Sequence, residues 1–177
     1  MTKPPTATPS SLKILLAADG SAFTRNAALH LVNQARMFVQ PPEVHVLYVH
    51  ASLPYPAAAG VAGKAAVDKY YREESEAALA VAQVVLTAAG VLFIASWKVG
   101  DVTEQIAKYV KEHDIDLVVM GSHGRGALAN VALGSVATKC IATLEVPILI
   151  VRKEPVSRPL TRREKIFGPA RNKSRVS

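Results

Sequence analysis

Five short apolar runs punctuate the chain: Ile14 to Ala18, Val44 to Val49, Leu92 to Trp97, Leu117 to Met120 and Ile148 to Val151. They are near-continuous rather than alternating, the pattern of strands covered on both faces. Segments with helical spacing separate them. Ala28, Leu31, Val32, Ala35 and Val39 form one apolar stripe, and Ala78, Val81, Val85 and Ala88 a second, in a longer helix that Gly90 ends. Val102, Ile106, Tyr109 and Val110 form a third behind Asp101, a residue suited to cap the helix start. Val136, Cys140, Ile141 and Leu144 form a fourth, which Pro147 prevents from continuing. Strict alternation of strand and helix predicts right-handed crossovers and an α/β fold, a parallel sheet with helices on both faces. In such a sheet a ligand sits beyond the carboxyl ends of the strands, where strand order reverses.

A length of 177 residues suits one domain with flexible ends. The expected division is a disordered segment 1–11, a folded domain 12–153 and a basic tail 154–177. Residues 51–64, rich in Pro, Gly and Ala, read as a mobile surface loop. The net charge of +7 is local. Residues 152–177 carry nine Lys or Arg against Glu154 and Glu164, whereas residues 12–151 hold eleven basic and twelve acidic residues. Such a tail either binds an anionic surface or polynucleotide without sequence preference, or is a solvated terminus. Its one aromatic, Phe167, argues against the first. Cys140 is the single cysteine, which excludes an intrachain disulfide. The Pro/Thr/Ser-rich start lacks the apolar segment of a signal peptide, and no run reaches the length of a membrane span. These features read as cytoplasmic.

The chemistry concentrates after the fourth run. Met120-Gly121-Ser122-His123-Gly124-Arg125-Gly126 follows it, and Leu133-Gly134-Ser135-Val136 opens the last helix. Glycines at 121 and 124 permit positive φ and close approach of backbone to a ligand. Gly134 and Ser135 sit where the first helical amides are unpaired, an anion site to which the Ser135 hydroxyl adds a donor. The competing reading is a pair of tight turns. No Gly-Lys-Ser/Thr follows, so this is not a Walker A loop. The first run ends in Asp19-Gly20-Ser21, whose carboxylate either meets a nucleotide or closes an Asx turn with Ser21 capping the next helix.

Gly121-x-x-Gly124, nine residues, then Gly134-Ser135 resembles the ATP-binding signature of the universal stress protein family, with its spacing intact. Lys13 to Ser21, Asp116 to Gly126, Leu133 to Val136 and Val146 to Val151 are similar to that family as well, so the resemblance covers residues 12 to 153. It implies a three-layer, doubly wound, five-stranded parallel sheet of flavodoxin/HUP-like type with strand order 3-2-1-4-5. It further implies an ATP site in which Asp19 contacts the adenosine, while Val49 and Met120 line the base beside Ala17 and Ala18. Gly121, His123 and Gly124 would follow ribose and phosphates, and Arg125 would reach the terminal phosphate. Gly134, Ser135 and Val136 would bind phosphate through amides and hydroxyl. Ala17 departs from the family, which commonly has proline there, and so removes a flat contact to the base.

The implied function is nucleotide-dependent regulation in a stress response. Hydrolysis is slow at most, because no general base stands beside the phosphates. Magnesium would ride on phosphate oxygens. A homodimer is expected through the last strand, whose apolar edge needs a cover. The alternative is an interaction module without nucleotide, acting through that edge and the basic tail. His30, His45, His50 and His113 lie on different elements without metal-ligand spacing. Gly121-Ser122-His123-Gly124 lacks the spacing of a hydrolase nucleophile elbow. Glu73, Glu74 and Glu76 read as an acidic start to the long helix. No residue is assigned to catalysis or to a metal.

Overall fold

The computed structural model describes residues 11–35, 38–52, 63–126 and 132–152. The expected disordered ends and most of the expected mobile loop at 51–64 lie outside those residues. Among the described residues nine elements alternate between strand and helix: β1 (Lys13–Ala18), α1 (Ala22–Ala35), β2 (Glu43–His50), α2 (Lys64–Ala88), β3 (Phe93–Val99), α3 (Val102–Glu112), β4 (Leu117–Gly121), α4 (Ser135–Thr143) and β5 (Ile148–Val151). All strand pairs are parallel, and the order is β3-β2-β1-β4-β5. This is the doubly wound, flavodoxin-like sheet predicted from the alternation and the family resemblance.

The central strand shows why the apolar runs are continuous. Ile14, Leu15 and Leu16 of β1 are all wholly buried, because successive side chains enter opposite layers. Ile14 and Leu16 pack with Val44, Val46, Leu31 and Leu86 in the layer beneath α1 and α2. Leu15 joins Leu47, Val118, Ile106 and Tyr109 in the layer beneath α3 and α4. Each such side chain contributes about 1.5–3 kcal/mol by leaving water.

Helix ends follow local chemistry. The Asp101 carboxylate accepts from the Thr103 and Glu104 amides at 2.9 and 3.0 Å and starts α3. Ser21 Oγ accepts from the Phe23 and Thr24 amides and starts α1. Gly90, at φ 70°, stops α2: its amide donates to the Thr87 carbonyl while the Val91 amide donates to that of Leu86.

The apolar stripes were misplaced at three helices. Val39 lies past α1 and is fully exposed. On α2 the buried face is Ser75, Ala78, Leu79, Ala82 and Leu86, with Ala88 exposed. A polar residue in the stripe and the surplus of alanines displaced the reading. On α4 Ala137 and Cys140 are buried, whereas Val136 and Ile141 face solvent. The acidic cluster falls mid-helix, because α2 begins at Lys64 with no acidic residue in its first turn. Glu73 and Glu74 instead pair with Lys69 and Arg125.

Candidate functional site

The order reversal lies between β1 and β4, which are neighbours although their chain connections run to opposite sides of the sheet. At their carboxyl ends a cavity of about 470 Å³ opens beneath α3 and α4, in the size range of small-molecule sites. Its floor is apolar: Ala17, Leu47, Val49 and Met120 from three strands, with Val102 and Ile106 from α3. Its far wall is the start of α4, where Gly134, Ser135, Val136 and Ala137 line the space.

That helix start is chemically open. Gly134 is its extended N-cap, and no side chain caps the helix. The amides of Ser135, Val136 and Ala137 precede the first intrahelical bond, from the Thr138 amide to the Gly134 carbonyl, and these three residues line the cavity at the positive end of the helix dipole. The Gly134 amide itself donates to the Ser122 carbonyl at 2.8 Å, which ties α4 to the loop after β4.

Asp19 organises the near wall. Its Oδ1 accepts from the Ser21 amide at 3.0 Å and the Thr24 hydroxyl at 2.6 Å. Its Oδ2 accepts from the Arg125 amide at 3.0 Å. The Asx turn and helix cap are therefore both formed, and the same carboxylate holds the glycine loop. Arg125 turns its guanidinium onto the Asp19 carbonyl and towards Glu74, at 3.5 Å, with the Tyr48 ring 5.9 Å beneath it. The His123 ring stands 5.3 Å from that of Phe23, and the Ser122 hydroxyl lies 3.0 Å from its Nδ1.

The glycines are required, but not by positive φ. Gly121 and Gly124 have none; among the described residues positive φ falls at Gly20, Gly63, Gly90, Gly100 and Asp114. A Cβ on Gly124 would stand 2.6 Å from Asp19 Oδ2, and one on Gly121 would stand 2.5 Å from Phe23 Cβ. On Gly134 it would meet His123 Cα at 3.2 Å. Close approach of backbone to neighbouring protein explains all three. An alanine at 124 therefore disturbs the loop as well as anything bound in it.

All twelve residues singled out from the sequence line this one cavity. Thr24, Leu47, Val102, Ile106, Ser122, Gly126 and Ala137 line it too and were not singled out. Leu47 was legible as the same-face neighbour of Val49, and Val102 with Ile106 as the start of the α3 stripe. His45 and His113, read as scattered, come together: their rings are 5.3 Å apart around Tyr109, at the opposite end of the sheet. Among the described residues no group of three or more His, Cys, Asp or Glu is placed to hold a metal ion. None of the described helices is long and apolar enough to cross a membrane.

The model of the universal stress protein family matches residues 11–152. A universal stress protein of Methanocaldococcus jannaschii, MJ0531, is 29% identical over 141 residues, covering 80% of this chain and 82% of that protein. The solved structure of MJ0577 from the same organism superposes with a TM-score of 0.66 at 26% identity, over 80% of this chain and 96% of the other. Two more distant structures share the fold. A universal stress protein in complex with cAMP has a TM-score of 0.59 at 20% identity, over 81% of this chain and 98% of the other. A family protein from Arabidopsis thaliana with AMP bound has 0.57 at 16%, over 81% of this chain and 92% of the other.

Proposed function

The chain belongs to the universal stress protein family, and on that premise we propose that it binds ATP in the cavity at the carboxyl edge of its sheet. One observation carries this: an apolar floor sized for a flat base faces an uncapped helix start suited to phosphate, across a single cavity. Adenine would lie on Val49 and Met120 beside Ala17 and Ala18. The ribose would pass Asp19, Gly121, His123 and Gly124. The phosphates would take the amides at Gly134, Ser135 and Val136 and the Ser135 hydroxyl. Arg125 reaches a terminal phosphate only by leaving Glu74. The relatives bound to cAMP and AMP support an adenine nucleotide in this fold.

Any hydrolysis is slow. Asp19, the one carboxylate among the described residues that line the cavity, is committed to three protein donors and is a poor base or magnesium ligand. Magnesium would be held by phosphate oxygens. The biological role is regulation in the cytoplasm, with nucleotide occupancy biasing assembly. The partner would be a second copy joined along β5, beside the exposed Val136 and Ile141 of α4. Light scattering at micromolar concentration would sink that dimer by returning a monomer.

The test of the site is chemical. Protein purified without added nucleotide is heat-denatured, and the supernatant is resolved by anion exchange. Adenine nucleotide approaching one per chain supports the reading. Its absence, together with no binding of millimolar ATP, leaves the interaction module acting through the β5 edge and the tail.

A further inference from the structure

Resting on the nucleotide reading above, we infer that Glu74 of α2 sets this chain's preference between triphosphate and monophosphate: it holds the Arg125 guanidinium off the cavity, and a terminal phosphate must win the arginine from it.

Arg125 stands at the border of two layers. Among the described residues it is the one Lys or Arg that lines the cavity beneath α3 and α4. Its guanidinium nevertheless crosses the carboxyl edge of the sheet towards α2, which packs on the opposite face. There Nη1 lies 3.5 Å from Glu74 Oε2, and Nε donates to the Asp19 carbonyl. The guanidinium carbon sits 5.9 Å from the centre of the Tyr48 ring. Nη2 lies against the turn after β1, where a Cβ on Gly20 would stand 2.8 Å from it.

Glu74 is placed for this contact rather than for one along its own helix. The residues three and four positions away on α2 are Tyr70, Tyr71, Ala77 and Ala78, so the helix offers it no cation. Its neighbour Glu73, by contrast, pairs with Lys69 one turn back. The Glu74 pair instead spans 51 positions and reaches the glycine loop.

The balance of charge decides which partner keeps the arginine. The two side chains are 48% and 42% exposed, and a pair so open to water holds by no more than about fivefold. A terminal phosphate offers a planar guanidinium three oxygens and about two negative charges, against one carboxylate contact. The phosphate therefore wins Arg125, with its affinity lowered by what Glu74 contributed. AMP ends at the phosphate seated on the α4 amides and makes no such demand. Glu74 thus weakens ATP alone. Linkage makes the effect reciprocal: the factor by which Glu74 weakens ATP is the factor by which bound ATP loosens Arg125 from Glu74. A triphosphate, and not a monophosphate, so changes the charged face of α2 beside the rings of His50, Tyr70 and Tyr71.

The experiment is a double-mutant cycle on the full chain. The native protein, E74Q, R125Q and the double variant are titrated by calorimetry with ATP, AMP and adenosine in magnesium-free buffer at about 50 mM salt. The inference predicts that E74Q binds ATP about three- to fivefold more tightly than the native chain, with AMP and adenosine unchanged. R125Q should bind ATP about three- to tenfold more weakly, and adding E74Q to it should bring no gain. A gain that survives in the R125Q background overturns the inference, because Glu74 would then act on phosphate by its own charge. Equal ATP affinity of E74Q and the native chain overturns it while leaving the nucleotide site standing, as does an equal gain for ATP and AMP. Failure of the native chain to bind any of the three overturns the nucleotide reading, and this inference with it.

Discussion

Asp19 and Arg125, 106 residues apart in the chain, are joined twice: the Arg125 amide donates to Asp19 Oδ2 at 3.0 Å, and its guanidinium donates to the Asp19 carbonyl. The pair closes the turn after β1 onto the loop after β4 and so builds one wall of the cavity. Removing the carboxylate strands three donors, the Ser21 and Arg125 amides and the Thr24 hydroxyl. Asp19→Ala should therefore cost about 2–3 kcal/mol by urea denaturation. Asp19→Asn, which keeps an acceptor for Ser21 and Thr24, should cost about half as much. Equal stability of all three proteins would contradict this role.

Ser135 separates binding from folding. It is exposed at the open start of α4. Ser135→Ala should leave stability within about 0.5 kcal/mol of the native chain. ATP affinity, read by calorimetry, should fall about three- to tenfold, with adenosine unaffected, through loss of one phosphate donor. A matching loss for adenosine would place the phosphates elsewhere.

The sheet's opposite end predicts an acid response. Buried His45 sets Nε2 2.8 Å from Glu43 Oε1 and Nδ1 2.9 Å from the Tyr109 hydroxyl. The hydrogen bond from His45 holds the Glu43 carboxyl below its ordinary 4.5. A depressed carboxylate contributes stability above its unfolded value and loses it as pH falls through the folded one. Urea midpoints followed from about pH 6 to about pH 3 should fall, and Glu43→Gln should flatten part of that fall. Identical profiles would remove Glu43 from the acid response.

Cys140 should be inert. Burial pushes its thiol up to about 11, with Asp101 adding to the effect. At pH 8 about one thiol in a thousand is ionised. Labelling by a thiol reagent should be at least a hundredfold slower in the native chain than in denaturant. Comparable rates would mean that the α4 layer opens readily.

The sequence made the sheet and the cavity legible for physical reasons. A parallel strand buried on both faces is written as an unbroken apolar run, and alternation with helices leaves few topologies. The helices were harder to read. On α2, Ser75 lies in the buried face while Ala88 is exposed, so counting apolar residues rotated the stripe. Of the two causes read for the glycines, positive φ is not found, and the clash at Gly124 is with an Asp19 carboxylate 105 positions away, which no local rule contains. His45 and His113 were separated by the same limit.

The central claim is that an adenine nucleotide occupies the cavity at the β1 and β4 ends, and the most direct test is a calorimetric titration of the full chain with ATP beside A17F. The phenyl ring would fill the base pocket at a cost of about 1–3 kcal/mol in stability. The account predicts one site per chain in the native protein and none in the folded variant. Silence from the native chain at millimolar ATP, or the same isotherm from both proteins, would contradict it.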